Sequence, residues 1–205
     1  LDDGARVRVR VRSTGDGALR VAFEGSAGVH QGNLNAPAGV IHSAVMYVVR
    51  LLVARSLGRG RGVGGGADVP LCDGLMEGVE LEIPEGMLNP PWGRLGDDPA
   101  SLPAVAGGNV ETSQVVVNAL LAALGVCADS QGTMNNVLFG SAGGGQGSAS
   151  HYETIGGGSG AGPGFAGCSG VHTHMTNTAI TDPEVLEHRF PVRLQRFEIR
   201  RGSGG

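Results

Sequence analysis

Four polar runs flanked by glycine lie between residues 107 and 178: GGNVETSQ (107–114), SQGTMNN (130–136), YETIGGGSGAGPG (152–164) and VHTHMTNT (171–178). They place carboxylates, imidazoles, amides and hydroxyls at positions where turns do not require them, and glycine lets a backbone approach a ligand closely. This composition is typical of a ligand site. Tight connections in a glycine-rich fold are the alternative that the residues leave open.

The side chains of these runs suit hydrolysis of an amide or an acyl phosphate. The predicted catalytic residues are the carboxylates Glu111 and Glu153, as possible acid/base groups, and the imidazoles His172 and His174 as their partners in proton transfer. The predicted substrate-binding residues are Asn109, Thr112, Asn135, Asn136, Tyr152 and Asn177. Among these, the amides of Asn109, Asn135 and Asn177 could stabilise a developing oxyanion. The prediction requires that these side chains share one cavity.

Other hydrolytic and metal signatures are missing from the sequence. It contains no G-x-S-x-G elbow, HExxH motif or EF-hand loop. In an extended segment His172 and His174 would share one face, with Cys168 nearby, an arrangement that a metal site could use. No third ligand follows at a recognised spacing, so imidazoles that line the site through hydrogen bonds are the alternative. No metal ligand is assigned.

Composition limits the function further. A chain of 205 residues that is 40% hydrophobic and 17% charged is expected to form one globular domain, or a large piece of one. All fifteen basic residues are arginine, so a P-loop lysine, a Schiff-base lysine and a serine–lysine dyad are excluded from this segment. A net charge of −4 argues against nucleic-acid binding, and the arginines at positions 6–12 alternate with valine like the solvated face of a strand.

The cysteines and the chain ends indicate a cytoplasmic segment of a longer protein. Cys72, Cys127 and Cys168 are odd in number and form no CxxC pair, which favours a reducing compartment. No uninterrupted apolar stretch reaches the roughly 18 residues of a membrane span, and no signal peptide is recognisable. The sequence begins without methionine and ends on Gly-Ser-Gly-Gly, so both ends are expected to be cut from a longer polypeptide.

The sequence around the four runs predicts an α+β fold with mixed sheets, a long central helix and several shorter helices. Alternating apolar residues predict strands, apolar residues at helical spacing predict helices, and the glycine-rich stretches between them are expected to be loops. Asn35 is the predicted cap of the long helix, and Thr112 or Ser113 the cap of the helix after GGNVETSQ. The predicted strands are 5–12, 18–24, 79–83, 133–139 and 192–200, and the predicted helices are 41–57, 113–124 and 182–188.

Two glycine-rich segments are expected to be loops rather than sites. Gly60, Gly62 and Gly65 satisfy GxGxxG, but a helix precedes them and no helix follows, so a dinucleotide site is rejected. Residues 141–150 are low-complexity Gly, Ser and Ala. The chain thus divides into a hairpin with the long helix (1–57), a flexible loop (58–78) and a site-bearing part (79–205).

Taken in order, the four runs, TDPEVLEHRFPV (181–192) and RFEIRRGSGG (196–205) resemble the hydantoinase B/5-oxoprolinase family, and single-chain 5-oxoprolinases in particular. The resemblance implies that residues 1–205 are the central to C-terminal part of a hydantoinase B-type domain. His151 departs from the family pattern, because it stands where the first of two paired tyrosines is common. That departure leaves the shape of the pocket and the exact substrate open.

The resemblance also implies partners and cofactors. A hydantoinase A-type domain or subunit would use ATP and Mg²⁺ to phosphorylate a small cyclic amide, and the B-type domain would complete hydrolysis, commonly within an oligomer. Any divalent metal of the B-type domain is expected in its N-terminal part, outside this sequence. Two alternatives remain open: a non-catalytic interaction or scaffold domain, and part of a related ATP-dependent ketone carboxylase.

Overall fold

The structure is a computed structural model that describes residues 1–58, 69–93, 97–140, 150–176, 178–200 and 202. Asn177, the glycines of the GxGxxG match and residues 141–149 lie outside the described residues. Helices and small sheets occur together, and the main sheet contains both parallel and antiparallel pairs. The predicted α+β class with mixed sheets is confirmed.

The main sheet has the strand order β1–β2–β3, with β1 at Arg10–Ser13, β2 at Leu19–Ala22 and β3 at Val79–Glu82. β1 and β2 are antiparallel, as the predicted hairpin requires, whereas β2 and β3 are parallel. On one face the valines of residues 7–11 pack against the core, and the arginines between them are exposed. The alternation read from the sequence therefore corresponds to one apolar and one solvated face.

The long helix α1, Ala38–Gly58, provides one wall of the core. Ile41, Ala44, Val45 and Val48 are buried. Their spacing places them on one stripe of the helix, which is why the periodic pattern in the sequence predicted it correctly. Across the core they face the sheet and a second helix through the buried residues Val21, Phe23, Met87, Leu88, Val116, Val117, Leu120 and Leu121.

The same helix is long and apolar enough to span a membrane by length and composition, since Ala38–Leu57 has 20 residues and a mean hydropathy of 1.5. The core helix of a soluble protein meets the same two criteria. The property by itself therefore assigns no location to the chain.

Asn35 does not cap α1, and this prediction is wrong. The side chain of Asn35 is fully buried, where its Oδ1 accepts from His30 N at 2.7 Å and its Nδ2 donates to Ala104 O at 3.0 Å. The helix begins three residues later, where Val40 N donates to Pro37 O at 2.8 Å. The Asn35 side chain thus links the backbone at His30 to the backbone at Ala104, which is 69 residues from Asn35, and a contact over that distance leaves no local pattern in the sequence.

The second helix, α2, spans Ser113–Ala123 and continues a π-helical turn at Gly108–Thr112. The predicted side-chain cap at Thr112 or Ser113 is wrong, because helical backbone already begins at Gly108. Thr112 Oγ1 donates to Leu34 O at 2.6 Å, and Ser113 Oγ donates to Asn109 O at 2.6 Å. Both hydroxyls therefore bind carbonyl groups instead of capping N–H groups.

The remaining elements carry the other runs. β4 (Asn135–Gly140) and β5 (Ser150–Ile155) form an antiparallel pair, and β6 (Gly158–Ser159) pairs with β7 (Cys168–Ser169). The helix α3, Pro183–Arg189, begins as predicted after Asp182, whose side chain accepts from Glu184 N at 2.9 Å. Residues 192–200 form no strand, contrary to prediction, because no described strand pairs with their backbone.

Candidate functional site

A glycine-lined cleft of about 1330 Å³ lies where the second and third polar runs meet, and Ser169 and Gly170, just before the fourth run, also line it. Ser130, Gln131 and Asn135 supply polar side chains from the second run. Gly156–Gly158 and Ser159 line it from the third run, and the segment 197–200 also borders it. The cleft combines amides, hydroxyls and exposed backbone, which is the composition of a site for a small polar ligand.

Glycine is required in this wall because neighbouring backbones approach too closely for a side chain. A Cβ at Gly156 would lie 2.9 Å from Gly170 O and 2.9 Å from the Cδ2 atom of His172. At Gly160 it would lie 2.0 Å from Ala128 O. At Gly157 it would collide with the side chain of Gln131, so the GGGSG sequence lets the third run pack directly against the second and fourth runs.

The first run supports the cleft without lining it. Met134 N donates to Val110 O at 3.1 Å, so the turn that carries Glu111 is joined to the second run through backbone atoms. Asn109 is exposed, Glu111 is half-buried and Thr112 is buried with its hydroxyl on Leu34. None of these three predicted site residues lines the cleft.

Glu153 lies in a second, mostly apolar cavity of about 570 Å³. Its Oε2 accepts from Thr181 N at 2.8 Å and lies 3.5 Å from His151 Nε2. The His151 ring packs against Phe139 and Phe190, with ring centroids 4.9 Å and 5.2 Å away. Glu153 therefore joins β5 to the start of α3, next to the position at which the sequence departs from the family pattern.

The cleft and the second cavity share a wall made by Ile155 and Phe197. Asn135 and Asn136 diverge, as their neighbouring positions in β4 require. Asn135 lines the cleft, whereas Asn136 accepts from Thr154 Oγ1 at 3.0 Å. Tyr152 is 58% exposed.

His172 lies directly behind the glycine wall. Its Nδ1 lies 2.5 Å from Thr178 O. Because a carbonyl oxygen only accepts, this Nδ1 must carry the hydrogen, which leaves Nε2 as an acceptor in the neutral ring. That Nε2 is buried and has no hydrogen-bond partner among the described residues.

His174 lies against helix α1. Its Nδ1 is 3.4 Å from the hydroxyl of Tyr47, and the two rings meet edge to face with centroids 6.0 Å apart. Burial lowers the pKa of His174 below its ordinary value and raises the pKa of Tyr47 above its own. Like His172, His174 has a buried Nε2 without a partner in the described part of the chain.

The structure therefore brings only some of the predicted residues together. Asn135 lines the cleft and His172 lies behind it, Glu153 occupies the adjoining cavity, and His174 faces Tyr47. Sequence reasoning missed Gln131 and Ser159, although both lie within the polar runs, and it missed Tyr47. No local signal could have identified Tyr47, because it is 127 residues from His174.

Within the described ranges, no three His, Cys, Asp or Glu side chains lie close enough to hold a metal ion together. The cysteines at positions 72, 127 and 168 are free. The donor set of these ranges does not fit a metal centre.

Comparison with known proteins gives a match along the whole chain. The family described as Hydantoinase B/oxoprolinase matches residues 1–205. A 5-oxoprolinase 1 of Arabidopsis thaliana is 42% identical over 206 residues, which are 100% of this chain and 14% of that protein. A 5-oxoprolinase of Saccharomyces cerevisiae is 41% identical over 220 residues, again with 100% of this chain but 16% of the relative.

Similarity extends to other eukaryotes. A 5-oxoprolinase of Dictyostelium discoideum is 38% identical over 207 residues, which are 100% of this chain and 14% of that protein. The chain thus spans about a seventh of the length of these relatives. No solved structure gives a significant match.

Proposed function

Because this chain belongs to the hydantoinase B/oxoprolinase family, we propose that it lines the pocket in which an ATP-dependent hydrolase opens a small cyclic amide. The family resemblance inferred from the motifs is confirmed by the match over residues 1–205. The preferred substrate is 5-oxoproline, opened to glutamate, because relatives that carry this name match the entire chain. Hydantoin ring opening is the second candidate.

The glycine-lined cleft is the observation that supports this assignment. A small cyclic amide such as 5-oxoproline presents a flat amide edge and a carboxylate. The amides of Gln131 and Asn135 and the hydroxyl of Ser130 can bind the amide edge, while Arg200, another residue of the cleft lining, supplies a positive charge that suits the carboxylate. Gly156–Gly158 contribute backbone to the cleft lining, where the ring could pack.

The chemistry explains why ATP is required. An unstrained amide carbonyl is a poor electrophile, so its oxygen is first phosphorylated with release of ADP. Water then adds to the ring carbon, the carbon–nitrogen bond breaks with the nitrogen taking a proton, and an acyl phosphate remains. A second water releases phosphate and leaves the new carboxylate.

In this scheme, residues of the chain position water and exchange protons. His172 and His174 are the proposed acid/base groups, because each has a buried Nε2 that no described residue engages. Asn135 is the proposed donor to the developing oxyanion, because it alone among the predicted amides lines the cleft within the described residues. Glu153, which is bound to Thr181 N, holds the wall in place.

ATP and Mg²⁺ are proposed to be used by a hydantoinase A-type domain or subunit. The complete absence of lysine from this sequence supports that division of labour, since phosphate-binding loops commonly use one. We further propose that the assembly is oligomeric and cytoplasmic and binds neither nucleic acid nor membrane. Three cysteines without a disulfide are compatible with a reducing compartment.

Assay of the full-length protein tests this proposal. We expect ATP-dependent release of glutamate and phosphate in equal amounts from 5-oxoproline, and no requirement for bicarbonate. A bicarbonate requirement with a ketone substrate would instead favour the carboxylase alternative. Absence of turnover with 5-oxoproline, hydantoins and ketones would favour the scaffold alternative and overturn the proposal.

A further inference from the structure

Two buried amides on helix α2 each hold a different loop of the candidate site. Gln114 and Asn118 lie four residues apart and therefore on the same side of the helix. Asn118 Oδ1 accepts from Ser130 N at 3.2 Å, and its Nδ2 donates to Ser130 O at 3.3 Å. This pair of bonds fixes the loop that supplies Ser130 to the cleft.

Gln114 makes the equivalent pair of bonds on either side of His174. Met175 N donates to Gln114 Oε1 at 3.0 Å, and Gln114 Nε2 donates to Thr173 O at 3.3 Å. The side chain is 1% exposed, so both bonds form away from competing water. One amide thereby binds the residues immediately before and after the imidazole.

The backbone between those two bonds is strained. His174 has a φ of 54°, and among the described residues no other residue except glycine has a positive φ. Holding such a residue in the left-handed region is unfavourable and requires support from surrounding structure. The two bonds from Gln114 supply support at the required place.

This backbone conformation determines what the imidazole contacts. It places Nδ1 of His174 near the hydroxyl of Tyr47 and encloses Nε2. Tyr47 is the titratable group of helix α1 that faces the ring, and Cys127 and Arg50 act electrostatically on Tyr47. Burial of the ring lowers the pKa of His174, so the neutral form persists to lower pH than for an exposed histidine.

We propose that Gln114 is a positioning residue, which holds His174 in its strained, enclosed conformation for ring opening. The inference rests on the proposed function, in which His174 is an acid/base group in its neutral form. Without Gln114 the turn can relax to a negative φ and the ring can turn toward solvent. His174 would then be protonated at a higher pH and would be less well placed for proton transfer.

The test compares full-length wild type with Gln114→Met, which keeps the length of the side chain and removes both hydrogen bonds. In a plot of kcat/KM against pH, we expect the acidic limb of Gln114→Met to lie at higher pH than that of wild type, nearer the ordinary histidine pKa of 6.5. We also expect kcat to fall by about tenfold or more. A Gln114→Met enzyme with the wild-type acidic limb would overturn the proposal.

Asn118→Leu is the matched control, because it also removes two hydrogen bonds between a side-chain amide of α2 and a loop backbone. It should raise KM through the Ser130 loop and leave the acidic limb in place. An equal movement of the limb in both variants would mean that any damage to α2 has this effect, and would contradict a specific role for Gln114.

A second measurement does not depend on turnover. Histidine acylation by diethyl pyrocarbonate, followed by peptide mass spectrometry, should be slow at His174 in wild type and at least several times faster in Gln114→Met. Exposed His188 serves as the internal reference. Equal labelling of His174 in the two proteins would overturn the inference about Gln114, whether or not the protein hydrolyses a cyclic amide. If the wild-type protein hydrolyses no cyclic amide but the labelling differs as expected, the result counts against the proposed function only.

Discussion

Alanine at position 108 is expected to disrupt the packing of the chain severely, because the added methyl group would meet backbone on the facing segment. A Cβ on Gly108 would lie 2.2 Å from Asn35 O and 2.8 Å from the Cα atom of Ala36. Both are backbone atoms, so no rotamer change can relieve the contact. Overpacking of a core costs about 1–3 kcal/mol and more when backbone must move, so we expect about 3 kcal/mol or more for Gly108→Ala.

Hydrogen exchange of the full-length protein measures this effect locally. We expect faster exchange in residues 33–37 and 108–117 of Gly108→Ala, because these segments pack against each other at Gly108. Gly39→Ala is the matched control, since a Cβ there meets nothing within 4 Å and alanine favours the helix. Wild-type protection of both segments in Gly108→Ala would show that the close approach is not needed.

Replacement of His174 by asparagine is expected to lower glutamate formation by about a hundredfold, the usual size of a lost acid/base group. Asparagine tolerates the left-handed conformation that His174 adopts at φ 54°, so the substitution removes the imidazole and keeps the backbone. ADP release should fall less than glutamate release, because phosphorylation of the substrate precedes ring opening and is assigned to the A-type partner.

The two products are measured in parallel in the full-length protein. His188→Asn provides the control, because His188 is exposed near the end of α3, where an imidazole has no role in the proposed chemistry. Glutamate formation by His174→Asn within twofold of wild type would remove His174 from the mechanism. A matching fall in the His188 variant would show that the assay reports general damage.

The sequence predicted those parts of the fold that depend on local periodicity. Helix α1 was recognised because its buried residues recur at helical spacing, and β1 and β2 because valine alternates with arginine. The strand predicted for 192–200 has the same alternation but is wrong, because a strand also needs a hydrogen-bonded neighbour, which alternation cannot supply. Local pattern therefore identifies candidate elements and does not determine their partners.

The candidate site was predictable by composition but not by arrangement. The polar runs identified Asn135 and the glycine wall, which do border one cleft. Sequence could not show that Glu153 binds Thr181 N, that Gln114 holds the turn at His174, or that Tyr47 faces the same ring. These contacts join residues that are 28, 61 and 127 positions apart, where neither spacing nor propensity carries information.

The position of a bound cyclic amide in the full-length protein tests the candidate site most directly. It can be determined by cryo-electron microscopy or crystallography with 5-oxoproline and a non-hydrolysable ATP analogue. We predict that the ring lies in the glycine-lined cleft, with its amide edge near Asn135 and its carboxylate toward Arg200. A ring bound elsewhere, with no atom within about 4 Å of Asn135 or Gly156–Gly158, would contradict the assignment of this cleft as the substrate site.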